Sequence, residues 1–306
     1  LKIHSRNEWD PLRSVIVGSA LNANWPSQDP VFAQEAEKTS WRDSLVPSGA
    51  VPHWIIEETE QDLDQLIRVL QQAGAEVRRP NEIDFVARGG MYNYCPRDRL
   101  LIAGDTVVDP AMMYPCRDLE LEAYHAVVDA AAAYLHMPRH EGMTLDAANI
   151  CRLGDSWLFL ESSSGNRAAY HWLCQQFPSV SIELCNFYAG VHIDSTIAPL
   201  CEGTVMLNAS RVSPETCPNV FQDWQKIWIE DCVPQDFYQY PYASRWIGMN
   251  CLSISPDTVI VDAAQKDIIT KLERARFTVV PMTLRHSRTL GGGFHCVTLD
   301  LWRQHD

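Results

Sequence analysis

The sequence predicts an α/β fold of repeated β-β-α-β modules set radially around a common centre, and three observations carry that expectation. Short apolar runs of strand length recur along the chain, amphipathic helices lie between them, and each clear helix leads into a further short strand. The first run is Ser14-Val15-Ile16-Val17-Gly18. Next comes Leu100-Leu101-Ile102-Ala103, joined by Gly104-Asp105 to Thr106-Val107-Val108. Trp157-Leu158-Phe159-Leu160 and Thr204-Val205-Met206-Leu207 follow. The last is Cys251-Leu252-Ser253-Ile254, joined through Pro256-Asp257 to Thr258-Val259-Ile260-Val261. The Gly-Asp and Pro-Asp links are hairpin signals. Counting from the second run, each later one begins about 50 residues after the one before.

The helices obey the same order. Asp62 to Ala73 puts Leu63, Leu66, Ile67 and Leu70 on one face, Gly74 stops it, and Ala75 to Pro80 reads as a strand. Asn166 to Phe177 followed by Ser179 to Ile182 repeats this, as does Ala264 to Ala275 followed by Phe277 to Pro281. A copy around Phe221 to Ile229 is less regular. No linker, charge block or low-complexity stretch divides residues 1–306, which predicts one domain. Such modules direct loops from every unit towards one point, so polar residues at strand ends should converge there.

Composition narrows the partner. The chain has 39 acidic against 25 basic residues, a net charge of −14, and so lacks the basic excess that binding a nucleic-acid backbone requires. An acidic protein suits a cationic or zwitterionic small molecule. No apolar run approaches the ~20 residues of a bilayer span, and no apolar h-region opens the sequence, which predicts a cytoplasmic protein. Ten cysteines occur without a single C-x-x-C pair, so small buried thiols are expected rather than a zinc site or a disulfide framework.

Three segments carry candidate chemistry. Gly291-Gly292-Gly293-Phe294-His295-Cys296 lacks the Lys-Ser/Thr of a P-loop. A bare glycine run reads as a flexible loop, but Cys296 directly after it could present one thiol to a pocket. In His192-Ile193-Asp194-Ser195-Thr196, period-two alternation puts His192 and Asp194 on one face of an extended segment, suited to proton transfer beside cation recognition. The plain alternative is a surface histidine on a strand. Asp146, in Leu145-Asp146-Ala147-Ala148-Asn149, is a carboxylate in an apolar setting and by default caps a turn. Asp98 follows Cys95-Pro96-Arg97 and has Arg97 and Arg99 as structural partners close at hand.

Taken together with Asn7-Glu8-Trp9-Asp10-Pro11-Leu12 and Trp246-Ile247-Gly248-Met249-Asn250, these motifs resemble, in order and over nearly the whole chain, the arginine-dependent amidinotransferases. That family includes glycine amidinotransferase and the inosamine-phosphate amidinotransferases of streptomycin biosynthesis. The resemblance implies a pentein-type α/β propeller of five ββαβ modules around a central active site. It implies that Cys296 attacks the guanidinium carbon of L-arginine, that ornithine leaves, and that the amidino group waits on sulfur for an acceptor amine, a ping-pong cycle. His192 would move the proton and Asp146 would orient it. Asp98 and Asp194 would grip the guanidinium, Arg211 would hold the α-carboxylate, and Ser244 and Gly293 would line the substrate site. A bound cation would itself lower the thiol pKa.

No metal and no organic cofactor is implied. The partners are two small molecules, with neither nucleic acid nor membrane, and the family resemblance allows a homodimer. Antibiotic or toxin biosynthesis is the implied setting. Asn149 stands where glycine amidinotransferases carry an aspartate, Pro115-Cys116-Arg117 keeps only the second arginine of an Arg-Ser-Arg run, and the segment before Asp146 is shortened. Ala189-Gly190-Val191 replaces bulkier residues and predicts a roomier acceptor pocket, which puts a lysine-like acceptor slightly ahead of an aminocyclitol phosphate or glycine. Two other classes compete: a guanidino-group hydrolase of the same fold, such as an arginine deiminase, and a non-catalytic binding protein. The first would form citrulline without an added amine, and the second would have no use for Cys296, His192, Asp146, Asp98 and Asp194 together.

Overall fold

The computed structural model describes residues 1–38, 47–188, 190–235 and 242–305. Among these residues there are five three-stranded sheets and one two-stranded ribbon. In every three-stranded sheet the central strand pairs antiparallel on one side and parallel on the other. The central strands are Leu12–Val17, Thr106–Asp109, Ser156–Leu160, Thr204–Asn208 and Thr258–Asp262. They are almost wholly buried, and a strand covered on both faces reads as an unbroken apolar run. Those are the runs legible in the sequence.

The parallel partners are Glu76–Arg78, Ala133–His136, Ser181–Cys185, Gln225–Ile229 and Thr278–Met282. A parallel return needs a crossover. Three crossovers are the amphipathic helices expected: His53–Gln72, which reaches further back than its periodic stretch, Arg167–Gln176 and Lys266–Arg274. Asn166 caps the second of these by accepting from Ala169 N at 3.0 Å. The other two differ. The fourth module crosses through a single 3-10 turn, Asn219–Phe221, and the second through the 3-10 stretch Pro115–Tyr124 and a short helix, His125–Ala130. Neither has a long apolar stripe to be read.

The first sheet closes the series on itself. Thr298–Arg303 pairs antiparallel with Leu12–Val17, with Val15 opposite Asp300 and Ile16 opposite Leu299. Behind this seam lies a buried ion cluster. Asp300 accepts from Arg97, from Arg152 Nη2 at 2.9 Å and from Arg303 Nε at 2.7 Å. Glu8 accepts from Arg152 Nε at 2.9 Å and faces Arg97 Nη1 at 3.4 Å. All five residues are at most 5 % exposed. A buried pair gains little net stability once desolvation is counted, but deleting one partner strands a charge at a cost of about 3–5 kcal/mol. The cluster therefore fixes the positions of four distant segments. Among the described residues no helix is long and apolar enough to cross a membrane.

Candidate active site

Cys296 is held from three sides. Ser287–Leu290 forms one helical turn that Gly291 ends in the left-handed region at φ 83°. The glycine run is not a flexible loop. A Cβ on Gly292 would fall 2.5 Å from Cys95 Sγ and 3.2 Å from Cys296 Cβ, so only glycine lets the Cys296 loop pass this close. Asn250 Oδ1 accepts from the backbone N–H groups of His295 (2.9 Å) and Cys296 (3.0 Å), while its Nδ2 donates to Cys296 Sγ at 3.2 Å. The thiol donates to Asp194 Oδ2 at 3.2 Å. The hydrogen bond with Cys95, burial and the Asp194 charge all push the Cys296 thiol well above the usual range.

His192 does not lie on a strand. Residues 190–196 form a tight turn, and His192 takes a left-handed backbone at φ 56°. Tyr188 Oη donates to the carbonyls of Val191 and His192, and Ile193 N donates to Ala148 O at 3.0 Å. The turn, rather than strand alternation, brings His192 and Asp194 to one site. His192 Nε2 donates to Asp146 Oδ2 at 3.0 Å, and its Nδ1 stands 3.6 Å from Asp98 Oδ1. Burial works against the charged imidazole, but Asp98, Asp146 and Asp194 outweigh it and raise the pKa to about 9.

Asp146 is not a turn cap: its Oδ1 accepts from Met113 N at 2.7 Å, and its other oxygen is committed to His192. Nor does Asp98 pair with its sequence neighbours. Arg97 joins the Asp300 cluster and Arg99 donates to Asp109 at 2.5 Å. Asp98 Oδ2 instead accepts from Arg117 Nη1 at 2.9 Å, and Arg117 is itself pinned by Glu120 at 2.7 and 3.0 Å. Asp98 Oδ1 is buried with no hydrogen-bond donor among the described residues, and burial raises its pKa despite His192 and Arg117. Asp194 goes the other way. Burial would raise it, but His295, His192 and the Cys296 thiol bring it down to about 2.

Two adjoining cavities, with about 640 and 810 Å³ of open space, share His192, Val191, Tyr242 and Gly291. The first reaches Asp98, Asp146 and Arg117; the second reaches Cys296, Asp194, Arg211 and Ser244. Arg211 stacks 3.9 Å over Tyr188 and donates to Thr196 Oγ1 at 2.8 Å and Ser195 Oγ at 3.1 Å. Ser244 is exposed at the rim, where its Oγ accepts from Trp246 N at 3.3 Å. Gly293 packs on Asn250, and within the glycine run it is Gly291 that lines the cavity. Asn149 holds Ser164 (2.8 Å), which stands behind His192, so it is a support for the site. Gly190 and Val191 line the second cavity, and Ala189 lies outside the described residues.

The expected set Cys296, His192, Asp146, Asp98, Asp194 and Arg211 is thus gathered at one cleft. Sequence reasoning assigned no role to Arg117, Asn250 or His295, although each sits inside a motif it singled out. Glu35, which lines both cavities from the helix Pro30–Lys38, gave no signal at all.

No family model matches the chain. Inosamine-phosphate amidinotransferase 1 of Streptomyces griseus is 38% identical over 332 aligned residues, covering 97% of this chain and 96% of that protein. The solved structure of the Streptomyces griseus inosamine-phosphate amidinotransferase superposes with a TM-score of 0.91 at 34% identity, covering 99% of this chain and 97% of the other. The L-arginine:L-lysine amidinotransferase of Pseudomonas savastanoi pv. phaseolicola is 26% identical across 98% of this chain and 94% of its own length. A DDAH of Pseudomonas aeruginosa shares the fold at 16% identity, with a TM-score of 0.69 over 94% of this chain and 99% of its own. The five modules are accordingly those of a pentein-type α/β propeller.

Proposed function

The chain belongs to the amidinotransferase family, and we propose that it carries the amidino group of L-arginine on Cys296 and delivers it to a small amine, releasing ornithine. The convergence of one thiol, one imidazolium and two carboxylates, Asp98 and Asp194, supports this reading above any other observation. A guanidinium entering the cleft supplies the donors that Asp98 Oδ1 lacks, and charge-assisted bonds of this kind fix its plane for attack. The cation also lowers the pKa of Cys296, whose thiolate bonds to the guanidinium carbon. His192, charged in the empty site, gives its proton to the departing ornithine nitrogen. The neutral imidazole then takes a proton from the acceptor amine as that amine displaces sulfur.

For the acceptor, the charges lining the cleft favour a zwitterion of ornithine shape. Asp98, Asp146, Asp194 and Glu35 face it, against Arg117 and Arg211. Arg117 is occupied by Asp98 and Glu120, which leaves Arg211 to meet a single carboxylate. An acceptor such as lysine reuses that arginine and brings its distal amine to the sulfur. The higher identity to inosamine-phosphate enzymes favours a second reading, an aminocyclitol phosphate acceptor. Both are steps of specialised-metabolite, antibiotic or toxin biosynthesis. Arginine mixed with equal lysine, glycine and an aminocyclitol phosphate, products resolved by mass, decides between them. A dominant guanidinoacetate product would remove both readings of the acceptor, and citrulline formed without any amine would replace transfer by hydrolysis.

A further inference from the structure

Behind the nucleophile, His295 is caught between two carboxylates. Its Nδ1 lies 2.9 Å from Asp194 Oδ2 and its Nε2 lies 3.2 Å from Glu8 Oε2. An ionised carboxylate only accepts hydrogen bonds, so both ring nitrogens must donate, and a ring that donates from both nitrogens is an imidazolium. The same Asp194 oxygen also accepts from the Cys296 thiol. Among the described residues the ring nitrogens have no other hydrogen-bond partner, and the space beside the ring is lined by Ile150, Ile193, Ile197 and Pro199 together with Cys151, Cys251 and Ser253. Its backbone is fixed as well, since His295 N donates to Asn250 Oδ1 and its carbonyl faces Arg97 Nε at 3.4 Å.

We infer that His295 is a positioning residue whose fixed positive charge lets Asp194 and the Cys296 thiolate be anionic side by side. This rests on the reading of Cys296 as nucleophile and Asp194 as a guanidinium ligand. Two negative charges within hydrogen-bond distance in a dry site repel strongly, and one carboxylate would otherwise take up a proton. With the imidazolium donating to Oδ2, Asp194 stays ionised and its plane is set by a bond that does not involve substrate. The thiol proton is then lost to solvent as the guanidinium enters, and the imidazolium stays charged throughout. His295 thus has a role separate from that of His192, which exchanges a proton with the reacting nitrogen.

The charged groups around the ring agree with this. Burial and Arg97 oppose the charged form, while Asp194 and Glu8 favour it, and the net effect is a raised pKa. Glu8 is held ionised by Arg152 and Arg97, with Asp300 behind them, and Asp194 is faced from the other side by His192. The ring therefore connects the catalytic carboxylate to the buried ion cluster at the seam of the propeller.

The test uses His295→Gln in the full chain, with two readouts that a merely structural role would not move. One is the pH dependence of Cys296 alkylation by iodoacetamide, followed on the Cys296 peptide by mass spectrometry. The alkylation midpoint is expected to rise by about one pH unit. The other is the single burst of ornithine from arginine without acceptor, whose rate should fall about ten-fold or more, with a raised arginine KM. A third measurement needs no variant: in the unmodified protein, ¹⁵N-histidine spectra at neutral pH should find both ring nitrogens of His295 protonated. A neutral ring, or an alkylation midpoint unmoved by His295→Gln, would overturn the inference. If the unmodified protein gave neither an ornithine burst nor an adduct on Cys296, the functional reading itself would fail, whatever the state of His295.

Discussion

Asp98 and Asp194 are buried carboxylates of one cleft, yet their surroundings push them in opposite directions. Asp194 has its donors built in: His295, the thiol and the nearby His192 charge bring it down to about 2. Asp98 has Arg117 on one oxygen and, among the described residues, no hydrogen-bond donor on the other, and burial raises it. The first already holds two donors on one oxygen, and on the proposed reading the second is completed by the bound guanidinium. A carboxylate already satisfied gives a cation fixed geometry, whereas an incomplete one gives it affinity, because a buried acceptor without a donor is costly until it is paired.

The strongest way to break the comparison is to remove what both carboxylates serve. Cys296→Ala should abolish ornithine release, and the adduct of about 42 mass units that arginine leaves on the wild-type thiol should be absent. Substantial turnover in that variant would end the covalent reading. Next, Asp98→Asn is expected to lower kcat/KM for arginine by about a hundred-fold or more, mainly through KM, since it removes the incomplete acceptor. Asp194→Asn should cost at least about ten-fold, consistent with the ~1.5–3 kcal/mol of a charge-assisted bond. Equal effects on KM at the two sites would erase the distinction drawn here.

The pH profile sharpens it from another side. If His192 protonates the departing nitrogen as proposed, the rate of ornithine release should hold to about pH 9 and fall above it, and His192→Gln should be nearly inactive throughout. The same shift is a stability term. The folded pKa of about 9 lies above the ordinary 6.5, so the contribution is complete below about 6.5 and disappears as pH rises through 9. Melting temperatures of wild type and His192→Gln should therefore converge on the alkaline side. The smallest effect is expected at Asp105→Asn, an exposed turn residue whose partner is His4 at 3.0 Å. Its activity should stay within about two-fold of wild type.

The central strands were legible because burial on both faces makes them continuous apolar runs, and three crossover helices because their apolar stripe is long. Ile150–Arg152 and Ile197–Cys201 were not, since Arg152 and Pro199 interrupt short runs whose burial is decided by tertiary contacts. At the site, the motifs pointed to Cys296, His192 and the aspartates, but the partners of those residues come from remote segments. That Asp98 would prefer Arg117 to the flanking Arg97 and Arg99 is not written in local spacing. Strand periodicity also failed at His192, where a left-handed residue turns the chain.

The ion cluster of Glu8, Arg97, Arg152, Asp300 and Arg303 has a consequence for how such a protein can change over generations. Its members come from four segments far apart in the chain, and one exchange strands a buried charge, so single substitutions there are blocked and only concerted ones survive. The walls of the second cavity, Gly190, Val191, Tyr242 and Ser244, touch none of these charges. Mutational freedom is therefore unevenly distributed: the charges behind the seam are locked, while these cleft walls can drift one residue at a time. A lineage built on this scaffold can reshape the wall of its cleft without disturbing the charges that hold the propeller closed.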